Sequence, residues 1–316
     1  MYTISKKGWT ISSLFFLLIL IVAFALPLQS NISETVQFST NPDALFRQLR
    51  SDTIWREWWP GKVQSENGKI EFHQNGFSYT IENILPYTFA LNTITDSFTT
   101  KSYLHLISKE GESITLTLTA SIPIDHSPIS RIKTLLILSK LKISFKKILS
   151  NLSSHYSGFK NLYNLGIHES TVPFEYVTTL SQTFGHNPSV QEIYALIDQV
   201  KVFIKGKGGG EKGSPMLFTT KIKEGQFFVQ VAIPTNKSLP ESGKIKSKWM
   251  LKGGNILSAQ VTGNRRAISK AKKQIEYYIQ DHRKSVVAIP YEYLITDRLT
   301  QPDSNKWVTQ IYFPVI

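Results

Sequence analysis

The feature that most constrains the fold is a pattern that occurs twice within residues 167–316. Each copy reads as a strand, an amphipathic helix and two further strands, with the helices predicted over residues 189–204 and 265–281. In each copy a Gln lies four residues before the Pro that closes the last strand, as with Gln230 and Pro234. Two β-α-β-β units form one antiparallel sheet with two helices on one face. The opposite face of the sheet is then concave, and it either packs against another part of the protein or binds a ligand.

The preceding stretch has a different order of elements. Short runs with period-two alternation fill residues 69–122 and predict an antiparallel meander. Apolar residues then recur at threes and fours, which predicts one long helix after the meander. A strand over residues 34–39 and a short helix over 44–50 come first. The expected fold class is α+β, with folded regions over 32–163 and 167–316.

The N-terminus predicts a membrane segment. No residue between Lys7 and Glu34 is charged, and residues 9–28 are mostly apolar. About 20 such residues in a helix cover the ~30 Å hydrocarbon core of a bilayer. The lysines before this run favour a cytoplasmic N-terminus, which places the rest of the chain on the periplasmic or outer side of a bacterium. Residues 1–30 are therefore predicted to be a membrane anchor, or alternatively a signal segment cleaved after Ala25, which would leave a secreted protein.

Composition excludes several functions. Cysteine is absent, which rules out disulfides and thiolate chemistry, and the seven histidines never stand at metal-ligand spacing. We therefore expect no metal and no cofactor. The net charge of +13 would suit nucleic acid, but an exported chain without a DNA-binding motif predicts no nucleic-acid partner. The glycine-rich loop at 205–214 lacks the P-loop spacing and is interpreted as a mobile connection.

Residues 34–160 resemble the START-like (SRPBCC, polyketide cyclase-like) superfamily. The resemblance rests on the order of strand, short helices, meander and closing helix, and on the tryptophan-rich stretch 52–60. It implies a curved sheet wrapped on the long helix, with a cavity between them. That cavity would hold a second ligand or a lipid.

Residues 167–316 resemble the GyrI-like effector-binding domain, which is also found fused to AraC-type and MerR-type regulators. The resemblance is carried by Gly263 and Asn264, by the Pro290-Tyr291-Glu292 strand, by Asp297 and by the closing run Trp307-Val308-Thr309-Gln310-Ile311-Tyr312-Phe313-Pro314-Val315. The chain departs from the family at Leu294, where a Tyr is common, and at Arg298, where a Pro is common. The regulators' DNA-binding domains are missing, so only ligand binding is implied.

Glu292 is the strongest single candidate for a ligand-binding residue. It stands in an apolar strand, where a carboxylate without a partner is costly to bury. Strand alternation places Glu292 on one face and Tyr291 and Tyr293 on the other. If the duplication holds, Leu217 is its counterpart in the first copy. The further candidates for the pocket wall are aromatic residues of the same region: Phe218, Phe228, Trp307 and Tyr312.

The sequence thus favours a membrane-anchored protein that captures a small hydrophobic or amphipathic ligand, a cationic one included, without catalysis. Glu292 would be its polar anchor, since aromatic rings around a carboxylate suit such a molecule. Two alternatives stay open. The resemblance to the GyrI-like group allows a hydrolase in which Glu292 activates water beside Tyr291 or Tyr293. The protein could also be a scaffold whose cavities are filled by side chains.

Overall fold

The computed structural model describes residues 13–15, 17, 29–66, 68–96, 98–109, 113–124 and 127–316. The chain divides into two compact units, the first ending at Gly158 and the second spanning Phe159–Ile316. The predicted anchor over residues 9–28 falls almost wholly outside the described residues. Among the residues that are described, no helix has both the length and the apolar character needed to cross a bilayer.

The first unit is one antiparallel sheet closed by a long helix, in the predicted order of elements. Its strands follow the order β1-β7-β6-β5-β4-β3-β2 across the sheet. They are β1 (Gln29–Ser39), β2 (Lys62–Glu66), β3 (Lys69–Gln74), β4 (Phe77–Leu85), β5 (Thr88–Ile94), β6 (Thr99–Lys109) and β7 (Ser113–Pro123). The helices are α1 (Pro42–Leu49), α2 (Trp55–Trp58) and α3 (Pro128–Tyr156), with a 3-10 turn at Asp52–Ile54. Helix α3 packs against β1 and β7.

The tryptophan-rich stretch forms the core beneath the short helices. Trp55 is fully buried, and its ring centroid lies 4.9 Å from that of Trp58 and 5.8 Å from that of Phe72. Its indole N–H donates to the carbonyl of Leu49 at 2.9 Å, which ties α1 to α2. Trp59 is buried in the same cluster. These rings therefore pack within the fold instead of opening onto a ligand cavity.

The second unit is built around an eight-stranded antiparallel sheet in the order β12-β9-β11-β10-β14-β15-β13-β8. Its strands are β8 (His168–Thr171), β9 (Tyr176–Phe184), β10 (Met216–Lys223), β11 (Gln226–Thr235), β12 (Ile245–Trp249), β13 (Asn255–Thr262), β14 (Tyr291–Leu294) and β15 (Val308–Pro314). Its helices are α4 (Phe159–Tyr163), α5 (Val190–Gly206) and α6 (Arg265–Asp281), with a 3-10 turn at Ser304–Lys306.

The predicted duplication is visible in this sheet, because the order of strands is symmetric about the central pair β10 and β14. The two long helices start alike: the Ser189 hydroxyl caps α5 and the Asn264 side chain caps α6, each accepting backbone N–H bonds. Leu217 of β10 lies directly opposite Glu292 of β14. A pseudo-two-fold axis therefore passes between these two residues.

The sheet of the second unit has two different faces. Helix α5 and the strands β9 and β11 bury one apolar cluster, which includes Ile197, Leu217 and Leu294. We call this side the helix face. Met216 and Tyr291 belong to a separate cluster on the other side, which we call the far face. Because side chains alternate along a strand, Glu292 lies on the helix face and its neighbours Tyr291 and Tyr293 lie on the far face.

Candidate functional site

A cavity of about 140 Å³ lies on the helix face, where the starts of α5 and α6 meet the central strands. We call it the charged cavity, because four of its side chains are ionic. Its lining consists of Asn187, Pro188, Ile193, Leu217, Thr219, Arg265, Ile268, Ser269, Lys272, Glu292 and Arg298.

Glu292 is buried in this cavity between two cations. The residue is 8% exposed, and its Oε1 atom accepts a hydrogen bond from Lys272 Nζ at 2.8 Å. Its Oε2 atom accepts from Arg298 Nη2 at 3.1 Å, and the same nitrogen donates to the Thr309 hydroxyl at 3.0 Å. The carboxylate is therefore held by an ionic triad that crosses from α6 to the loop after β14.

Two arginines complete the electrostatics of the cavity. The Arg298 side chain is 3% exposed, and its guanidinium carbon lies 4.9 Å from the centre of the Trp307 ring. Arg265 donates to the carbonyl of Pro188 at 2.7 Å and to the side-chain oxygen of Asn187 at 3.2 Å. Both arginines line the cavity together with one carboxylate, that of Glu292.

The protonation of Glu292 follows from these neighbours. Burial acts to raise the pKa of its carboxyl, but the charges of Lys272 and Arg298 and their hydrogen bonds outweigh burial, so the pKa lies below its ordinary value. Burial lowers the pKa of the Arg265 guanidinium, and repulsion from Arg298 lowers it further, while Glu292 opposes both effects. Glu292 is thus an anion at neutral pH.

A second cavity, of about 220 Å³, opens on the far face. We call it the aromatic cavity, since rings and aliphatic side chains make up most of its wall. It is lined by Val177, Thr179, Met216, Leu217, Phe218, Gln230, Ala232, Lys248, Trp249, Met250, Ala288, Ile289, Tyr291 and Pro314.

Two aromatic residues of this cavity are in unusual environments. Trp249 is 63% exposed although its side chain is large and apolar. Tyr291 is buried, and among the described residues its hydroxyl has no hydrogen-bond partner. Burial raises the pKa of Tyr291, and the neighbouring Tyr312 and Tyr293 raise it further, so the phenol keeps its proton and can donate. A buried donor of this kind is uncommon in folded proteins and calls for an explanation.

The seven residues predicted for one ligand pocket do not line a single cavity. Glu292 lines the charged cavity, whereas Tyr291 and Phe218 line the aromatic cavity. The other four belong to neither lining; they are Tyr293, Phe228, Trp307 and Tyr312. The Tyr293 hydroxyl accepts a hydrogen bond from the Ser214 N–H at 2.8 Å. Aromatic side chains were expected to surround Glu292. They do not, because strand alternation places Tyr291 and Tyr293 on the opposite face of the sheet from the carboxylate.

The sequence did not predict the three cations that line the cavity with Glu292, which are Arg265, Lys272 and Arg298. Arg265 and Lys272 belong to the basic side chains of α6, which were not among the predicted site residues, and both line the charged cavity. Arg298 appeared only as a departure from the family pattern at the position of a Pro. That departure was the available signal, because a new guanidinium six residues from a buried carboxylate can reach it.

The first unit contains a cavity of about 370 Å³ with a more polar wall. Its lining comes from the described strands β3, β4 and β5 and from nearby turns, and α3 contributes none of it; the residues are Asp52, Gly68, Lys69, Ile70, Phe72, Thr80, Ile81 and Asn92. This cavity is therefore not the hollow between sheet and long helix that the START-like resemblance implies.

Known structures that are similar to parts of this chain include ligand-binding and aromatase/cyclase proteins, whereas no family model and no curated protein matches the sequence. The crystal structure of the EcmrR C-terminal domain is similar over 48% of this chain and 98% of that one, with 18% identity and a TM-score of 0.41. SAV2435 bound to tetraphenylphosphonium covers 48% and 94% of the two chains, with 15% identity and a TM-score of 0.33. The Zhui aromatase/cyclase from Streptomyces sp. R1128 covers 40% and 92%, with 11% identity and a TM-score of 0.31.

All three likenesses have TM-scores below 0.5.

Proposed function

We propose that the second unit is a small-molecule-binding module, without catalysis, whose ligand occupies the aromatic cavity. The observation that carries the proposal is that Tyr291 lines an apolar cavity and that its buried hydroxyl has no hydrogen-bond partner among the described residues. An unpaired buried donor costs about 1–3 kcal/mol. A ligand with an acceptor atom would remove that cost, and the exposed Trp249 ring offers it an apolar surface.

The chemistry of the wall indicates the class of ligand. Rings and aliphatic side chains favour an apolar or amphipathic molecule, and Tyr291 adds a preference for an oxygen or nitrogen acceptor. The one charged residue in the wall is Lys248, which disfavours a cation. Glu292, the anchor expected for a cationic ligand, lies on the other face of the sheet. We therefore favour a neutral amphipathic ligand for this cavity.

Replacing Tyr291 by Phe tests this proposal in two opposite directions. We expect Tyr291→Phe to raise the free energy of unfolding by about 1 kcal/mol, since it removes a buried hydroxyl that has no partner. We also expect it to weaken binding of an acceptor-bearing aromatic amide, such as naphthamide, by about three- to tenfold, because the ligand loses one hydrogen bond. Urea denaturation measures the first effect and quenching of tryptophan fluorescence the second.

Tyr293→Phe is the matched control for this test. The Tyr293 hydroxyl has a partner, the Ser214 N–H, and lies outside the aromatic cavity. We expect this variant to lose about 1 kcal/mol of stability and to bind naphthamide as the wild type does. A Tyr291→Phe protein that is no more stable and binds with unchanged affinity would refute the proposal.

Two other functions are less well supported by the geometry. A hydrolase would need Glu292 beside Tyr291 or Tyr293, but these side chains lie on opposite faces of the sheet. Burial raises the pKa of Glu292, but the charges of Lys272 and Arg298 lower it by more, so the pKa lies below its ordinary value. A carboxylate with a lowered pKa is a weak base, which disfavours a role in activating water. A scaffold with filled cavities is disfavoured by the two open volumes of the second unit.

We further propose that residues 9–28 anchor the protein in a bacterial membrane, with the folded units on the outer side. The support is the length of the apolar run and the two lysines before it. An alkaline phosphatase fused after Ile316 is expected to be active, because that enzyme matures only outside the cytoplasm. An inactive phosphatase fusion, together with an active cytoplasmic reporter at the same position, would contradict this topology.

A further inference from the structure

We propose that the charged cavity on the helix face is a second binding site, separate from the aromatic cavity, and that it takes a small organic anion. The site would hold a carboxylate or a phosphate group that carries a short apolar body. The sequence instead predicted Glu292 as the anchor of a hydrophobic or amphipathic ligand, a cationic one included.

The balance of charge in the cavity carries the inference. Arg265, Lys272 and Arg298 line it against one carboxylate, Glu292, so its wall has an excess of two positive charges. Lys272 and Arg298 share that carboxylate, whereas the hydrogen bonds of Arg265 to described residues go to the neutral oxygens of Asn187 and Pro188. Cations that exceed their counter-ions in a partly closed cavity raise the local concentration of anions.

Two other carboxylates on the adjoining segments, Glu192 and Asp297, have partners of their own. Glu192, in the first turn of α5, accepts the N–H of Ser189 in a capping box and pairs with His186. Asp297 accepts the N–H of Leu299 at 2.9 Å. Neither belongs to the wall of the cavity.

The position of the cavity strengthens the preference. Both long helices begin at it: Asn187 and Pro188 immediately precede Ser189, the N-cap of α5, and Arg265 is the first residue of α6. The N-terminal end of a helix carries a partial positive charge, which favours anions nearby. The ends of α5 and α6 therefore add to the charge of the three cations.

The pseudo-symmetry indicates that these charges are not required for folding. Counted from the N-caps, Lys272 of α6 corresponds to Ile197 of α5. Across the central strands, Glu292 corresponds to Leu217. The same places in the first copy are thus apolar and buried, and the fold accepts them. Buried ionic groups are often no more stabilising than apolar residues of similar size, so their presence in one copy alone points to a ligand.

The remaining wall limits the size of the anion. Ile193, Leu217 and Ile268 supply an aliphatic surface, and Thr219 and Ser269 add hydroxyl groups. A volume of about 140 Å³ admits one aromatic ring with an acidic group and little more. Benzoate is therefore a suitable probe, and benzylammonium is its cationic counterpart of similar shape.

Calorimetric titration of the full-length protein with these two probes tests the proposal. We expect benzoate to bind and benzylammonium not to bind. Lys272→Gln should weaken benzoate binding about tenfold, because a charge-assisted hydrogen bond is lost. Lys270→Gln is the matched control, since Lys270 lies on the same helix, is exposed and is absent from the cavity wall. Its benzoate affinity should equal that of the wild type.

Glu292→Gln gives the decisive result, because the expected change is a gain. The amide keeps the shape of the carboxylate but no longer competes with the ligand for Lys272 and Arg298, so benzoate should bind about tenfold more tightly. A misfolded protein could not produce such a gain. Binding of benzylammonium in place of benzoate, or weaker benzoate binding by Glu292→Gln, would overturn the proposal.

Displacement separates this site from the aromatic cavity. Saturating benzoate is expected to leave naphthamide binding unchanged, because the walls of the two cavities have only Leu217 in common. Competition between the two probes would place benzoate in the aromatic cavity and would overturn the anion site, while the proposed function of that cavity would survive.

Discussion

Replacing Arg298 by Met is expected to lower the free energy of unfolding by about 3 kcal/mol, at the lower end of what breaking a buried ion pair costs. The guanidinium is 3% exposed and binds both Glu292 and the Thr309 hydroxyl. Its loss leaves one carboxylate oxygen buried without its donor. Lys272 still pairs with the other oxygen, which is why the expected cost is not larger. Urea denaturation followed by circular dichroism measures the change.

A double replacement separates the cost of the broken pair from other effects. In Glu292→Met combined with Arg298→Met no buried carboxylate is left, so we expect it to recover most of the stability that Arg298→Met alone loses. Arg266→Met, at an exposed position in the first turn of α6, is expected to change stability by less than about 0.5 kcal/mol. If the double variant were as unstable as the single one, the ion pair would not be the source of the loss.

Trp55→Ala is expected to destabilise the protein by about 4 kcal/mol, which is typical of removing a large buried ring. The side chain is fully buried, contacts other aromatic rings and donates a hydrogen bond to Leu49. Its removal leaves a cavity that the surrounding strands and helices cannot fill. Because Trp55 holds α1 to α2, the loss should also expose the amides of α1 to faster hydrogen exchange.

Trp249→Ala is the matched control for this prediction. The same ring is removed, but Trp249 is 63% exposed, so the stability should change by less than about 0.5 kcal/mol. Trp55→Phe should lie between the two, since it keeps an aromatic ring and loses the hydrogen bond to Leu49. Equal losses for Trp55→Ala and Trp249→Ala would show that burial of Trp55 is not what stabilises the first unit.

The sequence predicted the fold best where a local pattern determines the structure. Helix α6 has the predicted bounds, because Asn264 is a cap and the apolar residues that follow have helical spacing. The strands β8 and β12 were not predicted. Both lie at the edges of the sheet and are short, with polar residues at most positions, so neither shows the alternation of a half-buried strand.

The site was only partly predictable for a related reason. Alternation correctly separated Glu292 from Tyr291 and Tyr293, since it depends only on neighbouring residues. It says nothing about what packs above a strand. Lys272 reaches Glu292 from a helix twenty residues earlier in the chain, and this contact depends on how the whole second unit folds.

The pseudo-two-fold axis between Leu217 and Glu292 has a consequence for whatever enters the cavity beside it. A module with two identical halves would accept a molecule in either orientation. Here Glu292 is ionic, whereas Leu217, the residue related to it by the pseudo-two-fold axis, is aliphatic. A molecule with a polar end and an apolar end is therefore expected to bind in one orientation only. The duplicated fold thus has one binding site that fixes the orientation of its ligand.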